Sequence, residues 1–183
     1  MSSATEFRLT DAVVLLSRTP AALDALLRGL PDSWTHANEG EGTWSAFDIV
    51  GHLIEGEHSD WIPRARIILE SGESRPFTPF DRGAQFERNR GKTLHQLLDE
   101  FARARRESLS ALAALNLKPE DLERRGTHPK FGSVTLAQLL ATWTVHDLNH
   151  LHQLARVLAG QYREAVGPWT AFLGVMHCDA HSG

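Results

Sequence analysis

Two histidines four residues apart, His146 and His150, are the first residues in this chain whose spacing could do chemistry. They stand in Trp143-Thr144-Val145-His146-Asp147-Leu148-Asn149-His150-Leu151-His152-Gln153. On a helix, positions i and i+4 put their Cβ atoms about 5–6 Å apart on one face. Two imidazoles so placed can reach one metal ion, at about 2.0–2.1 Å for zinc. At about 100° per residue, Leu136, Leu139, Leu140, Trp143, Leu154, Val157 and Leu158 form one apolar stripe. His146 and His150 fall on that stripe or at its edge and are expected to point inward, while His152 points to solvent. Inward imidazoles need a partner, because a polar group buried without one is costly. That partner is a metal ion, or hydrogen bonds to backbone and carboxylates. A bare His-x-x-x-His does not choose between them.

A third ligand from a facing helix would favour the metal, as in other helix bundles. His52 and His58 both qualify. The clearest apolar arc near them is Phe47, Val50, Ile54 and Trp61. His52 lies on its far side and His58 nearer to it, so periodicity leaves the choice open. For a general base the candidates are Glu57, Asp147 and His128, with Glu55 also near His52. Asp147 and Asn149 could instead orient an imidazole. Each carboxylate has the alternative of an ordinary solvated charge, and His128, in a Pro-flanked loop, of capping a turn. His177, Cys178 and His181 in the tail receive no function. The five Trp residues are read as core or loop anchors.

Four main helices must position these groups. The first is expected from about Asp11 to Arg28, with Val13, Val14, Leu16, Leu23, Leu26 and Leu27 inward and Gly29 and Pro31 ending it. The second starts near Trp44-Ser45, and Pro63 should kink or divide it. A long connection, Glu70 to Gly91, follows. The third helix runs from about Thr93 to Leu115, with an outer face of Asp99, Arg103, Arg105, Arg106 and Glu107. A loop from Lys118 to Ser133 leads to the fourth, about Thr135 to Leu158, and a short helix is expected near Trp169 to Val175. No alternating strand pattern competes. The fold class is therefore all-α: a four-helix bundle with a long crossover, in one domain spanning 1–183.

Composition narrows the function. A chain of 183 residues needs no staple to fold, so a metal here serves chemistry. A net charge of −4 argues against a nucleic-acid partner. No run of eighteen apolar residues suggests a membrane span. Met1 to Asp11 has no signal-peptide pattern, and Cys178, the single cysteine, forms no intrachain disulfide. The expected location is cytoplasmic.

Beyond the histidines, the order of short motifs resembles the DinB/YfiT-like superfamily of metal-dependent four-helix proteins. The matching stretches are Thr43-Trp44-Ser45 leading to Gly51-His52-Leu53, then His128-Pro129 with Phe131-Gly132-Ser133-Val134-Thr135-Leu136, then His146-Asp147-Leu148-Asn149-His150 with Gln153. Tyr162-Arg163 and Val166-Gly167-Pro168-Trp169 fit the tail of some members. The resemblance implies His52, His146 and His150 as metal ligands, and it is the His-Leu context that selects His52 over His58. Three imidazoles leave a coordination position open, the pattern of catalytic rather than structural zinc. Zinc or nickel is expected first and iron or manganese second, since all accept imidazole. The resemblance further implies a small-molecule substrate, a low-molecular-weight thiol as co-substrate, and a homodimer. The expected function is a metal-dependent enzyme activating a thiol or water, S-transferase-like or hydrolase-like. The alternative is a non-catalytic, stress-associated metal-binding module.

Overall fold

The computed structural model describes residues 7–178, so His181 lies outside the described residues. Its helices are α1 (Leu9–Leu27), α2 (Asp32–Thr35), α3 (Ala46–Ser59), α4 (Trp61–Ser71), α5 (Ala84–Arg88), α6 (Leu94–Ala114) and α7 (Leu136–Gly160). Four long rods, with α3 and α4 forming one of them, make a four-helix bundle. α1 packs on α6 and α7, and α3 packs on the same two, so α1 and α3 lie on a diagonal. No helix among the described residues is long and apolar enough to cross a membrane.

Local chemistry sets the helix starts. Ser45 with Asp48, Thr93 with Gln96, and Thr135 with Gln138 each form a reciprocal capping box at the start of α3, α6 and α7. These bonds satisfy backbone donors that the first turn leaves unpaired. The second rod divides at Asp60. Pro63 has no N–H to give the Ser59 carbonyl, and it is tolerated in the first turn of α4.

The core has two apolar compartments. One gathers Leu23 and Leu27 of α1, Ile49, Val50, Leu53 and Ile54 of α3, Leu97 and Phe101 of α6, and Leu154 and Val157 of α7. The other gathers Leu16, Trp61, Ile68, Leu112, Leu140 and Trp143. Between them every rod contributes polar groups: Thr19 from α1, His52 and Glu57 from α3, Arg105 from α6, and His146, Asp147 and His150 from α7. This polar layer is where chemistry is possible.

Four expectations need correction. Residues 118–133 are not simply a loop: β1 (Arg125–His128) pairs antiparallel with β2 (Gly132–Thr135). The hairpin is too short to show alternation, and it packs through Gly126, where a Cβ would come within 2.7 Å of Ile68 and 2.9 Å of Phe77. On α1, Val14 and Leu26 face out, and the buried face runs through Ala12, Leu16, Thr19, Leu23 and Leu27. Arg105 is not on an outer face but only 1% exposed. The tail forms two 3-10 turns, Gly167–Phe172 and Gly174–His177, in place of the expected short helix.

Candidate metal centre

α3 presents His52 and α7 presents His146 and His150 to one point. His52 Nε2 lies 3.0 Å from His146 Nε2, and His150 Nε2 lies 3.1 Å from the same atom. Among the described residues these three form the one group of side chains able to share a metal ion, with donor atoms within 4.8 Å of one another. Nitrogens about 2.0–2.1 Å from one ion, at 90–109° to each other, stand about 2.8–3.4 Å apart. The two short separations fall in that range, so the donor set fits a divalent ion.

The second nitrogens decide which atoms carry protons. His150 Nδ1 is 2.7 Å from Gln153 Oε1. An amide oxygen only accepts, so Nδ1 donates and the Nε2 lone pair faces the cluster. Nδ1 of His52 and of His146 are buried without a hydrogen-bond partner. Burial, then the neighbouring imidazoles, pushes His52 down to about 3 and His146 down to about 2. His150 is lowered by burial too, although Gln153 and Asp147 pull the other way. All three rings are thus neutral near pH 7, the form that binds metal. Aromatic rings enclose them: Trp44 lies 4.7 Å from His52, Trp61 5.1 Å from His146 and Phe80 5.3 Å from His52.

His58 is exposed and takes no part. The helical wheel misjudges His52 because α3 is buried on every side from Ile49 to Glu57. The connection after α4 folds back over the side a wheel assigns to solvent. There α5 lies so close that a Cβ on Gly51 would come within 2.3 Å of Asn89 Nδ2.

Glu57 and Asp147 do not reach the imidazoles by hydrogen bonds. Both are held by Arg105. Its Nε and Nη2 donate to Glu57 Oε1 at 3.0 and 2.8 Å, and its Nη1 and Nη2 donate to the two Asp147 oxygens at 2.6 and 2.9 Å. Nη1 also donates to the Leu16 carbonyl at 2.8 Å. Five donated bonds match the full capacity of a guanidinium. The Leu16 carbonyl is available because Pro20, four residues on, has no N–H to give it. Thr19 Oγ1 donates to Asp147 Oδ2 at 2.5 Å and Trp143 Nε1 to Glu57 Oε1 at 3.1 Å. Burial alone would lower Arg105, but its bonds and attraction to Asp147 and Glu57 raise it overall. Sequence did carry a signal for Arg105: it follows Leu98 by seven and Phe101 by four and precedes Leu112 by seven, which is the core phase of α6.

The histidines open on a cavity of about 520 Å³ between α4, α7, the hairpin and the connection after α4. His128 lines it, but its Nδ1 accepts from the backbone N–H groups of Lys130 and Phe131 at 3.1 and 3.2 Å. It therefore also caps the hairpin turn. Asp60 and Arg64, not singled out from the sequence, form an ion pair in the cavity wall. Burial raises the Asp60 carboxyl, opposed by Arg64.

The profile of the DinB superfamily matches residues 15–154. The chain belongs to the DinB superfamily. That match begins within α1 and runs past the histidine pair of α7, so it includes every residue of the centre. Among solved structures, this DinB-superfamily chain is similar to YfiT from Bacillus subtilis, described as "a probable metal-dependent hydrolase with an unusual four-helix bundle topology". The two share 19% identity over 88% of this chain and 91% of that one, with a TM-score of 0.73. It is also similar to TT2238, described as a four-helix bundle protein, with 23% identity, 81% and 98% coverage and a TM-score of 0.55. At these identities the likeness establishes the fold. No curated protein sequence matches.

Proposed function

We propose that this protein is a divalent-metal-dependent enzyme that activates a thiol or water against a small-molecule substrate at His52, His146 and His150. The observation that carries this reading is the convergence of three neutral imidazole Nε2 atoms at the wall of a cavity of about 520 Å³. A structural metal is normally closed off by four protein ligands, whereas three ligands facing a cavity leave room for a reactant. The likeness to YfiT, described as a probable metal-dependent hydrolase, supports the metal-dependent part. The thiol alternative rests on the family resemblance of the motifs.

A divalent ion held there supplies Lewis acidity that lowers the pKa of a water or thiol. The chain's own residues do the rest. Gln153 fixes the tautomer and rotation of His150. Trp44, Trp61 and Phe80 restrict the rings and exclude water from their backs. The Asp60 carboxyl, raised by burial and paired with Arg64, lines the same cavity.

The test is turnover by protein reconstituted with zinc, nickel, iron or manganese, on panels of thiols with electrophiles and of hydrolysable amides and esters. The expected result is metal-dependent turnover that disappears in His146→Ala. Metal that raises thermal stability without turnover on either panel would favour a non-catalytic metal-binding module instead.

A further inference from the structure

We propose that His128 reads a carbonyl oxygen of the substrate by donating its Nε2–H into the cavity, and is neither the base of the site nor only the cap of its hairpin. This rests on the metal-dependent reading above and names a feature that its substrate carries.

The turn fixes the tautomer of this ring. His128 ends β1 and pairs with Gly132 of β2, so Pro129, Lys130 and Phe131 make the turn between them. Pro129 has no N–H to give. The next two N–H groups, of Lys130 and Phe131, both donate to His128 Nδ1, at 3.1 and 3.2 Å. A ring nitrogen that accepts carries no proton, so in the neutral imidazole the proton sits on Nε2. Burial, then the charges of Arg64 and Lys130, hold the ring below its ordinary value and neutral near pH 7. The one lone pair that could take a proton is committed to the turn. What the ring has left to offer is a donor.

That donor is held in place and is free to act. Phe131 stacks on the His128 ring with centroids 4.6 Å apart, and Phe77 meets it edge-on at 6.1 Å. Among the described residues nothing accepts from Nε2, and this atom is not sealed inside the protein. His128 lines the same cavity as the three metal-centre histidines, in a wall that Phe77, Phe80 and Leu139 make largely apolar. In such pockets a few placed polar groups set the orientation of the ligand. A site built to hydrogen-bond a substrate atom also disfavours analogues that lack it. Amides and esters carry a carbonyl oxygen for this donor, as do the carbonyl-activated electrophiles that thiols attack.

Two variants separate reading from capping. His128→Asn places Oδ1 where Nδ1 accepts the turn N–H groups and has nothing at Nε2. His128→Gln reaches the Nε2 position with an amide donor and leaves the turn without its acceptor. Cobalt(II)-substituted full-length protein is titrated with N-benzyl-2-mercaptoacetamide and with 4-phenylbutane-1-thiol, a chain of the same length without the amide. Binding is followed by the sulfur-to-cobalt charge-transfer band. His128→Asn is expected to weaken the amide thiol about fivefold, the size of one neutral hydrogen bond. The hydrocarbon thiol, the cobalt content and the thermal midpoint should not change. His128→Gln should bind the amide thiol nearly as wild type does, at a lower thermal midpoint. Long-range proton–nitrogen NMR of the metal-free full chain should place the His128 proton on Nε2 at pH 7. A proton on Nδ1 overturns the inference. So does a His128→Asn protein that binds both thiols as wild type does, which leaves His128 a turn cap alone, or one that weakens both equally. A cobalt-loaded chain that gives no band with either thiol overturns it as well. A chain that takes up no cobalt overturns the metal-dependent reading itself, and with it the reactant that His128 would read.

Discussion

Replacing Arg105 by Met should cost about 3–5 kcal/mol of stability, and the loss should shrink as pH falls. Arg105, Glu57 and Asp147 have side chains no more than 3% exposed. Removing the guanidinium strands two carboxylates in the layer between the two apolar compartments. Breaking a buried pair by removing one partner costs roughly 3–5 kcal/mol, because the other charge stays buried. Against a total of about 5–15 kcal/mol, that is a large fraction. With a urea slope of about 1–3 kcal/mol/M, the midpoint should fall by about 1–5 M. The sign of the pH effect follows from the stranded groups. In the variant, acid lets the stranded carboxylates shed the charge that is costly to bury without a partner. The variant therefore recovers relative to wild type as pH drops from 7 toward 5. Adding Glu57→Gln and Asp147→Asn to Arg105→Met removes both charges and should restore much of the loss at neutral pH. Urea unfolding of the three proteins at pH 7 and pH 5 measures this. A loss under about 1 kcal/mol for Arg105→Met, or one independent of pH, would refute the reasoning.

The metal-free protein should lose stability in mild acid. His52 and His146 sit at about 3 and about 2 in the folded state, against about 6.5 unfolded. Between pH 6.5 and about 3 the unfolded chain binds protons that the folded chain refuses. Stability is therefore complete above pH 6.5 and falls below it by about 1.4 kcal/mol per pH unit for each such ring. Urea midpoints at pH 7.5, 6 and 5 should show that slope, and His52→Ala should flatten it. Gln153→Leu removes the acceptor of His150 Nδ1. It should weaken metal binding about 10–100-fold, read by competition with a chromophoric chelator; unchanged affinity would deny Gln153 its positioning role.

Much of the bundle is legible in the sequence, because long amphipathic helices declare themselves by period and their starts by capping residues. The inward aim of His146 and His150 follows from the same period. His52 was beyond that logic: a wheel assumes one wet side, and α3 has none once α5 and its flanking connection fold over it. Motif resemblance supplied the choice that phase could not. The roles of Glu57 and Asp147 were hidden for a different reason. A carboxylate beside a histidine in sequence looks like a base, and only the placement of Arg105 from α6 shows where each oxygen is committed. The β1–β2 hairpin is four residues a side, too short for a period of two to stand out.

The central claim is that three neutral imidazoles hold one divalent ion. Metal analysis of the purified chain, with native mass measurement to count ions per chain, tests it most directly. The account predicts about one divalent ion per chain, lost in His52→Ala, His146→Ala and His150→Ala and retained in His58→Ala. A chain that binds no divalent metal after reconstitution, or whose metal content is untouched by these three substitutions, would contradict it.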